Sequence, residues 1–176
     1  FLPSIAENLA ETRRRIAVAK SAPGAQLPQL VAVSKRQPDD RIDAALAAGH
    51  RLFGENRVQE AQQRWARRRR DHPDLTLHLI GPLQTNKVAD AVVLFDVIEV
   101  VDRPKLARAL SREMARQDRW LACYIQVNTG EESQKSGVLP DEADGFIALC
   151  KAECELDICG LMCIPPQDEE PAMHFA

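Results

Sequence analysis

The chain has 176 residues and a mass of 19.6 kDa, which suits a single folded domain with a sizeable core. Hydrophobic residues make up 45% and charged residues 28% of it, and this near-average usage excludes collagen-like, disordered and low-complexity chains. The 23 Lys and Arg against 26 Asp and Glu give a formal net charge of −3. The chain therefore lacks the basic excess of a non-specific nucleic-acid binder, and we expect no nucleic-acid partner.

Along the chain, the hydrophobic pattern alternates between helical periodicity and short continuous runs, which is typical of βα units around a parallel sheet. Residues 5–16 have the spacing of an amphipathic helix, and the Ala-Pro-Gly sequence at residues 22–24 ends it. The apolar run at residues 30–35 predicts a strand that is buried on both faces and ends on a lysine. Residues 38–49 predict a helix that begins at a proline and two acids and ends at a glycine.

Further strands and helices bring the pattern to six βα units. The strands are predicted at residues 51–53, 77–80, 95–101, 121–127 and 156–164. The helices are predicted at residues 58–70, 83–91, 106–114 and 143–150. Four arginines at residues 67–70 close the first of these helices, where they oppose the negative end of its dipole.

Two architectures fit this alternation, an open doubly wound sheet and a closed (β/α)8 barrel. The first strand is followed by SKRQPDD instead of the GxGxxG motif of a dinucleotide-binding fold. Polar residues instead follow several strands, and in a barrel these strand ends share one mouth: Lys35, Asn56, Asp102 and Asn128. We therefore predict one TIM-type (β/α)8 barrel domain over residues 1–176. Because such a barrel usually takes ~200 residues or more, we expect its last two strands to be missing from this chain.

Location and redox state are also constrained by the sequence. The longest apolar runs are far shorter than the ~18 residues that cross a bilayer, so no membrane span is predicted. The N-terminal residues have the pattern of a helix and not that of a secretory signal, which makes the cytoplasm the default location. Five cysteines in apolar surroundings without a CxxC pair favour reduced core residues, with a metal site or a disulfide left open: Cys123, Cys150, Cys154, Cys159 and Cys163.

Lys35 is the most informative single residue. A lysine that ends an apolar strand places its amine over the barrel mouth, where partial desolvation is expected to lower its pKa. The neutral amine can then attack a carbonyl, as Schiff-base formation requires. The alternative is an ordinary strand-end lysine that extends into solvent.

Other candidates stand at neighbouring strand ends, each with a structural alternative. Asn56, in the Gly-Glu-Asn sequence after the second strand, lies beside Lys35 or simply caps the next helix. His78 lies in an apolar strand and is either a core residue or a site residue. The polar loop at residues 126–137 is a solvated loop or a lip over the mouth. Met162 ends the sixth strand, as a core side chain or a ligand contact.

Six motifs in fixed order resemble the pyridoxal phosphate homeostasis proteins, the family also called YggS or PROSC, which is similar to the N-terminal domain of alanine racemase. The motifs cover nearly the whole chain. They are VAVSK at 31–35, FGENRVQEA at 53–61, LHLIGPLQTNK at 77–87, VD at 101–102, QVN with EESQKSG at 126–137, and GLMCIPP at 160–166.

The resemblance implies a (β/α)8-like barrel in which Lys35 holds pyridoxal 5'-phosphate (PLP) as an internal aldimine. It further implies that Asn56, His78, Asn128 and Met162 line the cofactor pocket. The family is regarded as a carrier or regulator of the free vitamer pool without established turnover, with PLP-dependent apoenzymes as candidate recipients. In the family, segments beyond GLMxIPP hold the cofactor phosphate, and the 176 residues stop before them.

Two other functions compete with this interpretation. A racemase-like enzyme would use the same lysine, but two-base racemisation needs a second acid or base opposite it. Alanine racemase supplies that group from a partner subunit and has a second domain, for which 176 residues leave no room. An interaction module would instead use the arginines at residues 67–70 to bind an acidic protein or RNA.

Overall fold

The computed structural model describes residues 3–19, 24 and 26–176. Six strands form one parallel sheet in which each strand pairs with the next one in sequence. The strands are β1 (Ala32–Val33), β2 (Leu52–Glu55), β3 (Thr76–Leu79), β4 (Val97–Val101), β5 (Ala122–Gln126) and β6 (Asp157–Met162). This order is that of six consecutive strands of a (β/α)8 barrel, which confirms the predicted fold class.

Helices alternate with the strands, and all but the last of them lie on the same side of the sheet as the apolar core. They are α1 (Ile5–Ala19), α2 (Asp39–Ala47), α3 (Val58–Trp65), α4 (Arg68–Asp71), α5 (Val88–Leu94), α6 (Pro104–Gln117), α7 (Ala143–Ala152) and α8 (Pro171–Phe175). Short 3-10 turns at Thr85–Lys87 and Pro140–Glu142 precede α5 and α7. The helix end predicted at residues 22–24 lies outside the described residues except for Gly24.

The core lies between the helices and the sheet, as the helical spacing predicts. On α6, Leu106, Leu110 and Met114 are completely buried, which agrees with their predicted stripe. Phe53 of β2 packs on Trp65 of α3 with a ring-centroid distance of 4.7 Å. Burial of such large side chains is the main favourable contribution to folding.

Three predicted elements differ from the structure. The helix predicted at residues 58–70 is two helices, because α3 ends at Trp65 and the separate α4 begins at Arg68. The first strand was expected at residues 30–35 with both faces buried, but β1 has two residues and Val33 is 48% exposed. The reason is that β1 is an edge strand that pairs only with β2 among the described residues. The helix expected at residues 83–91 begins at Val88 and continues to Leu94, because residues 85–87 form the tighter 3-10 turn.

The cysteine prediction is right for three residues and wrong for two. Cys123, Cys150 and Cys154 are buried, whereas Cys159 is exposed and Cys163 is half-buried. Residues 157–162 alternate between exposed and half-buried positions because β6 is the other edge strand. All five cysteines are free, and within the described ranges no group of three or more His, Cys, Asp or Glu side chains could hold a metal ion.

The arginines at residues 67–70 are largely engaged within the chain. Arg68 pairs with Asp43 at 2.8 Å and Arg69 with Asp96 at 2.7 Å, while Arg67 lies 3.7 Å from Asp71. These contacts give the basic run an intramolecular role. Of the helices that the structure describes, none has the length and apolar character needed to cross a membrane.

Candidate functional site

Lys35 lies in a tight turn at the carboxyl end of β1. Ser34 N donates to Gly54 O at 3.0 Å, and Gln37 N donates to Ser34 O at 3.1 Å. This second bond closes a β-turn with Lys35 and Arg36 at its centre. Arg36 has a φ of 59°, in the left-handed region that Gly or Asn normally occupies and that costs other residues about 1–2 kcal/mol. The Lys35 side chain is exposed to solvent, so the prediction that its amine is partly desolvated is wrong.

A buried carboxylate lies directly behind this turn. Glu55 of β2 is 0% exposed, and its Oε1 accepts hydrogen bonds from Ser34 Oγ at 2.7 Å and Trp65 Nε1 at 2.9 Å. The same oxygen accepts from Arg64 Nη1 at 2.8 Å. A buried charge persists only where it is paired and hydrogen-bonded, and here the pairing ties the ends of β1 and β2 to α3.

Asn56 follows β2 at a point where two backbones touch. A Cβ added at Gly81 would lie 2.3 Å from Asn56 O, so only glycine allows this approach. Asn56 Oδ1 is buried and has no hydrogen-bond partner among the described residues. Asn56 also lines a cavity of about 460 Å³ that includes Arg57 and Lys87. The ends of β2 and β3 therefore offer an unsatisfied amide beside two cationic side chains.

A second cavity, of about 1060 Å³, lies on the sheet face opposite the main helices. It is lined in part by His78, Glu99, Tyr124 and Met162. His78 Nδ1 contacts Glu99 Oε1, and the two side chains are 11% and 19% exposed. A carboxylate at this position fixes the ring orientation and leaves Nδ1 as the donor. The face of the sheet that borders this cavity therefore carries a polar pair as well as apolar side chains.

The loop after β5 is held together by Asn128. Its Nδ2 donates to Glu132 O at 2.8 Å, and its Oδ1 accepts from Glu132 N at 3.2 Å. Gly137 has a φ of 120°, and a Cβ added there would lie 2.6 Å from Asn128 N. Val138 N then donates to Gln126 O at 2.9 Å, so the loop folds back onto the end of β5. The predicted polar lip is an ordered, internally bonded loop.

The predicted site residues therefore divide into three groups. His78 and Met162 line the 1060 Å³ cavity, and Asn56 lines the 460 Å³ cavity. Lys35 and Asn128 lie at strand ends and do not line either of these two cavities in the described part of the chain. Cofactor binding by all five stays a prediction at this point.

Sequence reasoning missed several residues of this region. Glu99 and Tyr124 line the cavity, and Arg64 and Trp65 bind the buried Glu55. Glu99 and Tyr124 alternate with buried residues of their strands, a pattern that also fits ordinary solvent-facing positions. They could have been identified only by assuming that side chains on the inner face of a barrel are shielded from solvent.

Comparisons with known proteins place the chain in a family. The family model described as alanine racemase, N-terminal domain, matches residues 3–176. The pyridoxal phosphate homeostasis protein of Pseudomonas aeruginosa is 38% identical over 180 residues, which cover 99% of this chain and 76% of that protein. The chain belongs to the pyridoxal phosphate homeostasis protein family. The relative from Vibrio cholerae is 41% identical over 78% of this chain and 59% of its own length.

Several solved structures resemble the chain in fold. PipY of Synechococcus elongatus, described as a COG0325 family member, has a TM-score of 0.81 without PLP, with 39% identity over 97% of this chain and 75% of PipY. PipY with PLP bound has a TM-score of 0.79 at 38% identity, over 97% of this chain and 74% of PipY. Alanine racemase of Corynebacterium glutamicum is 20% identical with a TM-score of 0.65, over 97% of this chain and 46% of the racemase, which shows a shared fold alone.

Proposed function

We propose that this chain binds pyridoxal 5'-phosphate covalently through Lys35 and carries it in intracellular vitamin B6 homeostasis. One observation carries the proposal: a solvent-accessible lysine stands in a closed turn at the carboxyl end of β1. It is supported by PipY, which is 38% identical to this chain and was solved with PLP bound. Carboxyl strand ends are where barrel proteins place their ligand sites.

The residues present fit this cofactor. Pyridoxal phosphate supplies an aldehyde that an uncharged amine can attack, together with a phosphate anion. Lys35 provides the amine. Asn56 provides a buried Oδ1 that has no partner in the described part of the chain and can accept a hydrogen bond from a donor of the ligand. Arg57 and Lys87 in the same cavity provide positive charge for the phosphate anion.

The remaining predicted residues take supporting roles in this proposal. His78 presents an imidazole whose orientation Glu99 fixes, and Met162 contributes apolar surface beside it. Asn128 holds the loop that follows β5, so it shapes the rim next to the ligand. In this proposal His78 and Met162 contact the heterocyclic ring from the 1060 Å³ cavity.

We further propose that the chain delivers the cofactor and does not turn over amino acids. An exposed lysine leaves a bound ligand within reach of other amines, as transfer to a PLP-dependent apoenzyme requires. Five free cysteines suit the reducing cytoplasm where such apoenzymes are found.

The decisive experiment is site-specific trapping of the cofactor. The purified chain is mixed with PLP and reduced with borohydride, and the label is located by peptide mapping. We expect the label on Lys35 and its loss in Lys35→Ala, whereas Lys105→Ala, which removes an exposed lysine of α6, leaves labelling unchanged. A label mainly on Lys87 or Lys135 would contradict the assignment.

A second experiment separates the carrier from a racemase-like enzyme. The PLP-loaded chain is incubated with L-alanine, and its enantiomeric composition is followed by chiral chromatography. We expect no inversion above that of free PLP. Inversion that disappears in Lys35→Ala would establish turnover and replace the carrier function.

A further inference from the structure

We propose that Arg64 is a positioning residue for Lys35, because its guanidinium clamps both ends of the turn that carries the lysine. The part of this inference that concerns PLP binding at Lys35 rests on the function proposed above. The clamp itself is a property of the polypeptide and can be measured without the cofactor.

The clamp consists of two hydrogen bonds to backbone carbonyls. Arg64 Nη1 donates to Ser34 O at 3.0 Å, and Arg64 Nη2 donates to Gln37 O at 3.3 Å. Ser34 and Gln37 are the first and last residues of the turn, and Lys35 and Arg36 lie between them. One planar group therefore bridges the two ends of a four-residue segment.

Glu55 holds the clamp in place from behind. Its Oε1 lies 2.8 Å from Arg64 Nη1, and the Arg64 side chain is 15% exposed. Trp65 Nε1 and Ser34 Oγ donate to the same carboxylate oxygen, which fixes the carboxylate against α3 and the turn after β1. A guanidinium carries five donors in a rigid fork and can serve a carboxylate and two carbonyls together. A lysine ammonium at this position carries its three donors on one nitrogen and lacks the planar fork that reaches both carbonyls.

The turn needs such support because its backbone is strained and its lysine is exposed. Arg36 occupies the left-handed region at a φ of 59°, where a side chain persists only if its surroundings hold it. Lys35 is exposed, so packing of its own side chain does not fix the amine. The direction of the amine depends on the turn, and the turn depends on Arg64.

The experiment compares Arg64→Lys with Arg68→Lys, a matched control. Arg68 is also 15% exposed and pairs with Asp43 and Asp39, but its donors reach the Arg64 backbone carbonyl and not the turn. If Arg64→Lys fails to fold, the double variant Glu55→Gln/Arg64→Met removes both members of the buried ion pair and keeps the test available.

Two readouts are taken. In the cofactor-free chain, hydrogen exchange of the Gln37 amide reports the bond that closes the turn. We expect at least about tenfold faster exchange in Arg64→Lys and no change in Arg68→Lys. With PLP added, borohydride trapping at Lys35 should slow by about tenfold in Arg64→Lys alone, at a melting temperature equal to that of the control.

The outcomes distinguish the two claims. Unchanged Gln37 exchange in Arg64→Lys would overturn the clamp, and faster exchange with unchanged trapping would overturn its role in positioning Lys35. If the wild-type chain takes no cofactor on Lys35, the proposed function fails, while the Gln37 exchange rates still decide whether Arg64 holds the turn.

Discussion

Glu55 shows how far a side chain's environment can differ from its local sequence. It stands between a glycine and an asparagine at a strand end, a sequence typical of an exposed loop. In the structure it is completely buried and accepts three side-chain hydrogen bonds through one oxygen. Its partners come from α3 and from the turn that follows β1, so only the tertiary structure brings them together.

We expect Glu55→Ala to destabilise the chain strongly. The change leaves the Arg64 cation without its carboxylate and removes the acceptor of Trp65 Nε1, and loss of one member of a buried pair costs about 3–5 kcal/mol. Urea unfolding followed by circular dichroism measures the free energy of unfolding. Glu60→Ala is the control, because the Glu60 pair with Arg57 is at the surface and is worth about 0.2–1 kcal/mol. Equal losses in the two variants would show that the buried pair adds no stability.

At the scale of single residues, the sequence indicated candidate site residues where the residue type is unusual for its position. Lys35 was identified because a charged side chain ends an apolar run. Arg64 was not, because an arginine near a helix end is normally solvated, and its contacts with Ser34 O and Gln37 O depend on a turn about 30 residues earlier in the chain. Glu99 was missed because its alternation along β4 looks like that of a solvent-facing residue.

At the level of elements, helices were predicted best where their buried positions follow the helical period. Ile42, Ala45 and Leu46 of α2 are buried as their spacing indicated, and so are Val58 and Ala61 of α3. Boundaries failed where backbone geometry decides the structure. The start of α5 depends on a 3-10 turn, and the length of β1 depends on its place at the sheet edge.

Glycine substitutions test how the ends of β2 and β3 approach each other. In Gly81→Ala the new methyl group would lie 2.3 Å from Asn56 O, so the two backbones must separate, and we expect a loss of about 1–3 kcal/mol. Gly145→Ala is the matched control, since it lies within α7 with nothing inside 4 Å of the added carbon. There we expect a gain of about 0.5–1 kcal/mol. Thermal unfolding of both variants checks the signs, and stabilisation by Gly81→Ala would contradict the close approach.

The contact between α1 and the start of β2 predicts a pH dependence of stability. His50 is buried, its Nε2 donates to Leu52 O at 2.7 Å, and its Nδ1 accepts from Arg13 Nη2 at 2.8 Å. Burial, with a smaller contribution from the Arg13 and Arg51 cations, lowers the pKa of His50 below its ordinary value. The unfolded chain therefore takes up a proton near pH 6.5 that the folded chain resists. This contribution to stability is present above pH 6.5 and is lost as the pH falls below it.

The measurement is urea unfolding at about pH 7.5 and about pH 5.5. We expect His50→Gln to lose less stability between these two values than the wild type does. His72→Gln removes a histidine that is not buried, and it should keep the wild-type difference. If the stability of His50→Gln keeps the wild-type pH dependence, the pKa of His50 is the same in the folded and the unfolded chain.

At the scale of the whole molecule, the sheet separates two different environments. One face carries the apolar layer beneath the helices, and the other borders the 1060 Å³ cavity with its His78–Glu99 pair. Strands β1 and β6 are the edges of the sheet, so their side chains are more exposed than those of β2 to β5. The sequence predicted the order of the strands, but the same residue types become buried or exposed according to the strand's place in the sheet.

The reactivity of the five cysteine thiols measures this difference in exposure between the inner strands and the edge strands. Burial raises the pKa of Cys123 on β5 and of Cys150 on α7 to about 12, and only the thiolate reacts. Cys154 is buried as well, whereas Cys159 on β6 is exposed and Cys163, just after β6, is half-buried. We therefore expect a thiol reagent at mildly alkaline pH to label two of the five cysteines in the native chain and all five in denaturant.

Two variants identify the labelled positions and the packing that protects the others. Cys159→Ser should lower the number of thiols labelled in the native chain by one, because this side chain is exposed. Cys123→Ser should lower only the number labelled in denaturant. Because Cys123 is completely buried on β5, which pairs with β6 along five residues, its native labelling requires the packed layer to open. Labelling of Cys123 as fast as that of Cys159 would therefore contradict the packing of β5 beneath the helices.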